Sequence, residues 1–209
     1  MSRTVLIGLA ILLGAAALPA PSFAQVAVDW GLHGNGASLD TKDTLSSVYS
    51  WGYGGGAHVD IHLATFSLRF SGDYTMSAPD ADTYRSELAR IFGNEAAGYT
   101  VDGGEVNIFS ATVNVKWPVV TLPVAKPYLP GGIGLTQLSS TDMTVKYQGN
   151  PVAGVPKVPG ESKMSVNLGA GIDFVLGASV TLFIEGRYSW INTEGSTTGY
   201  IPVSFGITF

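Results

Sequence analysis

Cysteine is absent from the 209 residues. No disulfide framework, thiol catalysis or thiolate-held metal can therefore be built from this chain. Charge is also sparse: Asp, Glu, Lys and Arg together make up 13%, about half the ~25% of an ordinary soluble domain. What charge there is leans acidic, 16 acidic against 11 basic residues, which argues against a nucleic-acid partner, since that would want a basic patch. A third absence concerns long apolar runs. Nothing after Ala24 approaches the ~20 residues a membrane-spanning helix needs. Low charge, 27 glycines and no spanning helix suit a membrane β-barrel better than a soluble sandwich.

The N-terminus predicts export. Arg3 gives a positive start, Val5 to Leu18 is apolar, and Ser22-Phe23-Ala24 places small residues where a signal peptidase reads. That apolar run is too short for a transmembrane anchor. Residues 1–24 are read as a cleaved secretory signal and 25–209 as one domain. With no cysteine after the cleavage point, a lipid-anchored lipoprotein is excluded. Loss of Arg3 takes the net charge from −5 to −6.

The rest of the chain alternates. At its end Ile201, Val203, Phe205, Ile207 and Phe209 are apolar, with Pro202, Ser204, Gly206 and Thr208 between them. That is a period-two strand with one greasy face. Seven further segments share the pattern. Val26, Val28, Trp30 and Leu32 oppose Asp29, Gly31 and His33; Ala57, Val59, Ile61 and Leu63 oppose His58, Asp60 and His62. Phe66, Leu68, Phe70 and Tyr74 oppose Ser67, Arg69, Ser71 and Asp73, and Phe109 to Trp117 opposes Ser110 to Lys116. The fifth, around Leu129, Ile133 and Leu135, is weakest, because Pro127 and Pro130 bracket its start and limit its pairing. Met164 to Phe174 and Val180 to Trp190 are the sixth and seventh.

Three features decide which face meets lipid. The polar faces carry Gly, Ser, Thr and Asn with few Lys or Glu, as a crowded lumen does and a watered exterior does not. Aromatics collect at the ends of the apolar faces: Phe66, Trp117 and Phe209 at one rim, Tyr53, Tyr74, Tyr188 and Trp190 near the other. Connections alternate between tight turns, near Ala64-Thr65 and Gly177-Ala178, and long loops. The predicted fold is an all-β, eight-stranded antiparallel up-and-down transmembrane β-barrel with a short helix in an outer loop, its termini and short turns periplasmic.

The connection Pro118 to Ala125 fits this scheme poorly, being longer than a minimal turn and apolar. In the loop Ser77 to Gly104, Ser77 or Asp80 caps a predicted helix, Gly93 ends it, and Tyr84, Leu88, Ile91 and Phe92 form its apolar stripe. The loop Ser139 to Gly160, with three prolines and several glycines, is expected to be mobile. Asn35 to Ser50 reads as a polar loop.

Chemistry-bearing residues lie on the lumen face. His58, Asp60 and His62 alternate along one strand and suggest a metal site. A polar lumen network is the better reading, because lumen faces are polar by default, and no metal or cofactor is expected. Pairing the tight hairpin through Leu63 and Phe66 sets Asp60 opposite Arg69, an ion pair that would seal a narrow barrel. Asp73, Lys116, Asp173, Glu185 and Arg187 extend that network. No Gly-x-Ser-x-Gly setting and no His–Ser pairing stands out, so catalysis is not expected.

Pro127-Tyr-Leu-Pro-Gly-Gly-Ile-Gly134, Asn167-Leu-Gly-Ala-Gly-Ile-Asp-Phe174, Phe183-Ile-Glu-Gly-Arg-Tyr-Ser-Trp190 and the terminal Phe209 resemble the small outer-membrane barrels of the OmpA/OmpX and opacity-protein type. The resemblance covers nearly all of the mature chain. It implies a barrel set in outer-membrane lipid and lipopolysaccharide, delivered by periplasmic chaperones. It also implies that Phe205, Ile207 and Phe209 form the strand read by the barrel-assembly machinery. A cell-wall tether is not implied. The leading functional expectation is a structural and surface-interaction role, with an unidentified extracellular partner bound by the outer loops. A narrow passive channel for small solutes and a lipid-modifying enzyme are the alternatives. Gly132, Gly134, Gly169, Gly171 and Gly206 either leave a thin water path or make room for Phe183 and Tyr200.

Overall fold

The computed structural model describes residues 26–40, 49, 51–93, 95–152, 160–177, 179–193 and 196–209; the signal segment and most of residues 41–50 lie outside them. Alternation produces the expected strands: β1 (Ala27–Asp40), β2 (Gly52–His62), β3 (Ser67–Ser77), then a helix α1 (Ala81–Phe92), β4 (Tyr99–Gly103) and β5 (Val106–Pro118). They are followed by β6 (Ala125–Ser140), β7 (Met143–Tyr147), β8 (Asn150–Pro151), β9 (Glu161–Val175), β10 (Thr181–Thr193) and β11 (Ser196–Thr208). Eight of these close into an antiparallel barrel, in the order β1-β2-β3-β5-β6-β9-β10-β11 and back to β1. Along β5 burial alternates residue by residue, the mark of one face turned in and one turned out. Leu32, Val113, Leu135, Val166, Leu168 and Phe205 all point outward and are exposed, as a lipid-facing belt requires.

Two segments are longer than the sequence suggests. β1 continues through Asn35 to Asp40, paired to β11 as far as Asp40↔Gly199, because backbone pairing needs no apolar face once a strand rises out of lipid. β6, expected to be the weak strand, runs for 16 residues with both prolines inside it. Pro130 pairs with Lys116 of β5, while the register with β9 stops at Tyr128↔Gly171 and resumes at Gly131↔Leu168. The missing N–H thus costs bonds on one side of the strand only. Pro202 sits opposite the equivalent gap between β10 and β11.

The outer loops hold the larger correction. The segment read as mobile carries β7 and β8, which join β4 in a separate three-stranded sheet. β4 pairs with β7 from Tyr99↔Tyr147 to Gly103↔Met143, and β5 with β6 from Val106↔Ser140. Both ladders share one register, since 103 and 143 sum to the same value as 106 and 140. The small sheet is therefore the β5–β6 ribbon continued past a kink. Gly103 and Gly104 make that kink with φ of +76° and +81°, a left-handed conformation that favours glycine. The helix is where the pattern placed it. Asp80 accepts from the Thr83 amide at 2.8 Å, and Gly93 ends it with φ +71°.

Candidate functional site: a charged lumen under an apolar cap

Residues facing the lumen change character along the barrel axis. The lower part is charged. Asp60 and Arg69 are register partners across β2 and β3, and the guanidinium grips the carboxylate with Nε to Oδ1 and Nη2 to Oδ2 both at 2.7 Å. Such a two-point contact fixes orientation as well as charge. Arg69 also reaches Glu185 at 3.4 Å, and Glu185 accepts from the Tyr128 hydroxyl at 2.8 Å. Lys116 Nζ bridges Asp60 at 3.3 Å and Asp173 at 3.1 Å. Arg187 joins Glu185 at 3.0 Å to Asp73 at 3.5 Å. All seven residues expected in the lumen thus lie in one chain of contacts.

Residues outside the expected ionic network complete it. His33 contacts Asp73 at 2.6 Å. Phe183, 1% exposed, lies under the Arg69 guanidinium, 4.6 Å from Cζ to the ring centroid. Lys116 stands 4.1 Å from the centre of the Tyr128 ring, so both cations gain an aromatic face. Tyr128 was legible only by parity, as an inward position of β6 below Pro130, Gly132, Gly134 and Thr136, whereas Phe183 is a side chain for which the lumen glycines already leave room in the sequence. The glycines make room for these side chains: a methyl on Gly206 would lie 2.6 Å from Phe183, and one on Gly132 2.6 Å from Asn114. Gly171 likewise faces Tyr128 and Gly169 faces Arg187.

The three alternating residues of β2 diverge. His58 turns to Thr208 at 3.0 Å, Asp60 to Arg69, and His62 to Asp29 at 2.8 Å. A His–Ser pairing, nearer the turn in the same hairpin register as Asp60 and Arg69, is also present: His62 Nδ1 and Ser67 Oγ are 2.8 Å apart, so Asp29, His62 and Ser67 form a relay. It lies at the barrel end that carries the termini, lining an open cavity of about 250 Å³ with Lys116, Lys126 and Asp173. His62 and Ser67 are cross-strand register partners, so the sheet itself accounts for their meeting.

Above Thr75 the lumen becomes apolar. Val106, Ile108, Leu138 and Ile191 point inward and pack in one buried cluster with Tyr84 and Leu88 of α1 and with Tyr99 and Val145 of the small sheet. Tyr200 marks the boundary: it belongs to that cluster, while its hydroxyl meets Thr75 at 2.7 Å. Tyr49 ties the cap to the kink by donating to the Gly104 carbonyl at 2.7 Å; burial pushes this phenol up to about 12. Of the helix stripe, Tyr84 and Leu88 are buried, while Ile91 and Phe92 remain exposed.

The seam closes on the last residue. Phe209 exchanges both backbone bonds with Trp30, at 3.2 and 2.8 Å, and their rings lie 4.9 Å apart. Phe66 stacks with Trp117 at the same rim, and towards the opposite rim Tyr188 meets Trp190 at a tilt, their centroids 4.7 Å apart. Phe205 points into the lipid belt and is exposed, and Ile207 shares its outward face.

The sequence profile of the outer membrane protein beta-barrel domain matches residues 8–209. The chain belongs to this family. It is an outer-membrane β-barrel, and two solved structures share its fold. Neisserial surface protein A is 14% identical with a TM-score of 0.55, the alignment covering 88% of this chain and 98% of that one. A major outer membrane protein from Thermus thermophilus is 10% identical with a TM-score of 0.50, covering 88% and 98%. No curated protein sequence gives a significant match.

Proposed function

We propose that this protein is a closed outer-membrane anchor whose folded cap makes contacts outside the cell. The termini and short turns face the periplasm in this reading, and periplasmic chaperones and the barrel-assembly machinery deliver the chain through Phe205, Ile207 and Phe209. The observation that carries it is the cap: two outer loops share one apolar core with the barrel mouth, where a bare pore would leave that mouth open. Exposed Ile91 and Phe92 at the end of α1 give the extracellular partner an apolar foothold, set among the charged pairs Arg85–Asp82 and Arg90–Glu87. Variants with Ile91→Asp and Phe92→Asp should fold normally and lose cell-surface adhesion. Unchanged adhesion and surface phenotypes would count against the reading.

One observation favours a narrow passage instead. Buried side-chain atoms of Asn114, Asn167 and Ser204 have no protein partner, and buried polar atoms ordinarily find water. A water thread beside the ion pairs would satisfy them. Conductance of the full mature chain in a planar bilayer separates the two readings: silence supports the anchor, and reproducible small steps support the passage. The enzymatic alternative now rests on Asp29, His62 and Ser67. Failure of Ser67 to react with a fluorophosphonate, together with unchanged membrane lipids in Ser67→Ala cells, would remove it.

A further inference from the structure

The β5–β6 connection is built unlike the β2–β3 turn at the same end of the barrel. The β2–β3 turn closes at once beyond His62↔Ser67, with Leu63 N to Phe66 O at 2.9 Å. The β5–β6 ribbon instead continues past its last ladder pair through Val119 N to Pro127 O at 2.9 Å and Leu122 N to Ala125 O at 3.2 Å. It is braced from the side by Val175 N to Val124 O at 2.9 Å. The result is an ordered arch, yet its side chains are apolar and bare. Val119 is 61% exposed and Val124 62%, with Val120, Leu122 and the neighbouring Leu176 similar. A water-facing turn would carry the polar residues that such positions favour, and contiguous exposed apolar surface marks a contact.

The occupant follows from continuity and length. Val113, Val115 and Trp117 on the same strand already face lipid, and Val119 extends that row. At the other end the row stops at Phe109, because exposed Tyr74 donates to Asn107 at 2.6 Å. Strands advance ~3.3 Å per residue and tilt by about 40° in such barrels, so the step from Phe109 to Val119 rises roughly 25 Å. That is about the height of the apolar band of an outer-membrane barrel. Val119 then lies at the edge of the band, and Val120, Leu122 and Val124 lie in the headgroup layer beyond it. We infer that the Val119–Val124 arch, with Leu176, is a one-sided lipid anchor that seats this edge of the barrel in the phospholipid leaflet on the termini side.

The absence of native cysteine makes the test direct. Leu122→Cys is spin-labelled in the full mature chain, refolded into phosphatidylethanolamine–phosphatidylglycerol vesicles. Its collision rates with oxygen and with a water-soluble nickel chelate are compared with those of Val115→Cys and Thr65→Cys, folding being verified for each by heat-modifiable gel mobility. The expected oxygen-to-nickel ratio at Leu122 lies several-fold above that at Thr65 and below that at Val115. A ratio equal to that at Thr65 overturns the inference. So does protection that appears only in native outer membranes, which would assign the arch to a periplasmic protein. Protection that vanishes on dilution of protein in lipid would assign it to a second copy, and overturns it equally.

Discussion

The lower lumen and the mouth are lined by the same strands at the same parity, yet one is charged and the other apolar. On β5, Lys116, Asn114, Thr112 and Ser110 lead upward to Ile108 and Val106 without a change of face. The difference reflects what closes each region. In the lower lumen the barrel wall is complete, so only side chains reaching across can fill it, and paired charges fix where they point. At the mouth another layer of structure is available, and burying an apolar surface against it is favourable without directional constraints.

The comparison can be broken at either end. The largest effect is expected from Arg69→Ala, which leaves Asp60 without its two-point partner in a buried site. Removing one member of such a pair costs about 3–5 kcal/mol, seen as a lower unfolding midpoint of the whole barrel in denaturant. Leu88→Ala removes a side chain that is 2% exposed and should cost about 2–5 kcal/mol, but locally. Proteolysis between α1 and β4 should rise while the barrel's midpoint stays put; a fall of both together would show that cap and barrel unfold as one unit.

At the boundary, Tyr200→Phe deletes the hydroxyl that meets Thr75 and should cost about 0.5–1.5 kcal/mol, measured by the same denaturant series. The smallest effect concerns the helix cap. The Thr83 amide holds the Asp80 carboxyl below its ordinary value of 3.8. Its contribution to the helix is therefore fully present above that value and lost as pH falls through the lower, folded one. Asp80→Asn should flatten this acid-side dependence, read as amide exchange in the first turn of α1, and leave the barrel untouched.

How much of this was legible depends on the range of the signal. Asp60 opposite Arg69 follows from a tight turn and period two, because a short hairpin fixes its own register. The caps of α1 are local too, which is why Asp80 and Gly93 could be named. The joining of β4 to β7 could not be read, since Tyr99 and Tyr147 are far apart in sequence and Gly149 and Pro151 look like loop residues. The pairing depends on the Gly103-Gly104 kink and on a register inherited from β5 and β6. The Asp29–His62–Ser67 relay was hidden only in part: His62 opposite Ser67 follows from the same hairpin register, while the aspartate comes from another strand.

By itself the sequence determined the class of solvent on each side of the wall. Alternation at period two, scarce charge and aromatic rims leave only a closed barrel with its greasy face toward lipid, because every backbone group in a bilayer must be paired. Only the tertiary structure decided that the mouth is shut by a folded cap, which ionic contacts cross the lumen, and that the arch after Pro118 stays bare. Each of these depends on distances between strands remote in the chain, and closure of the barrel, which no local pattern encodes, is what sets them.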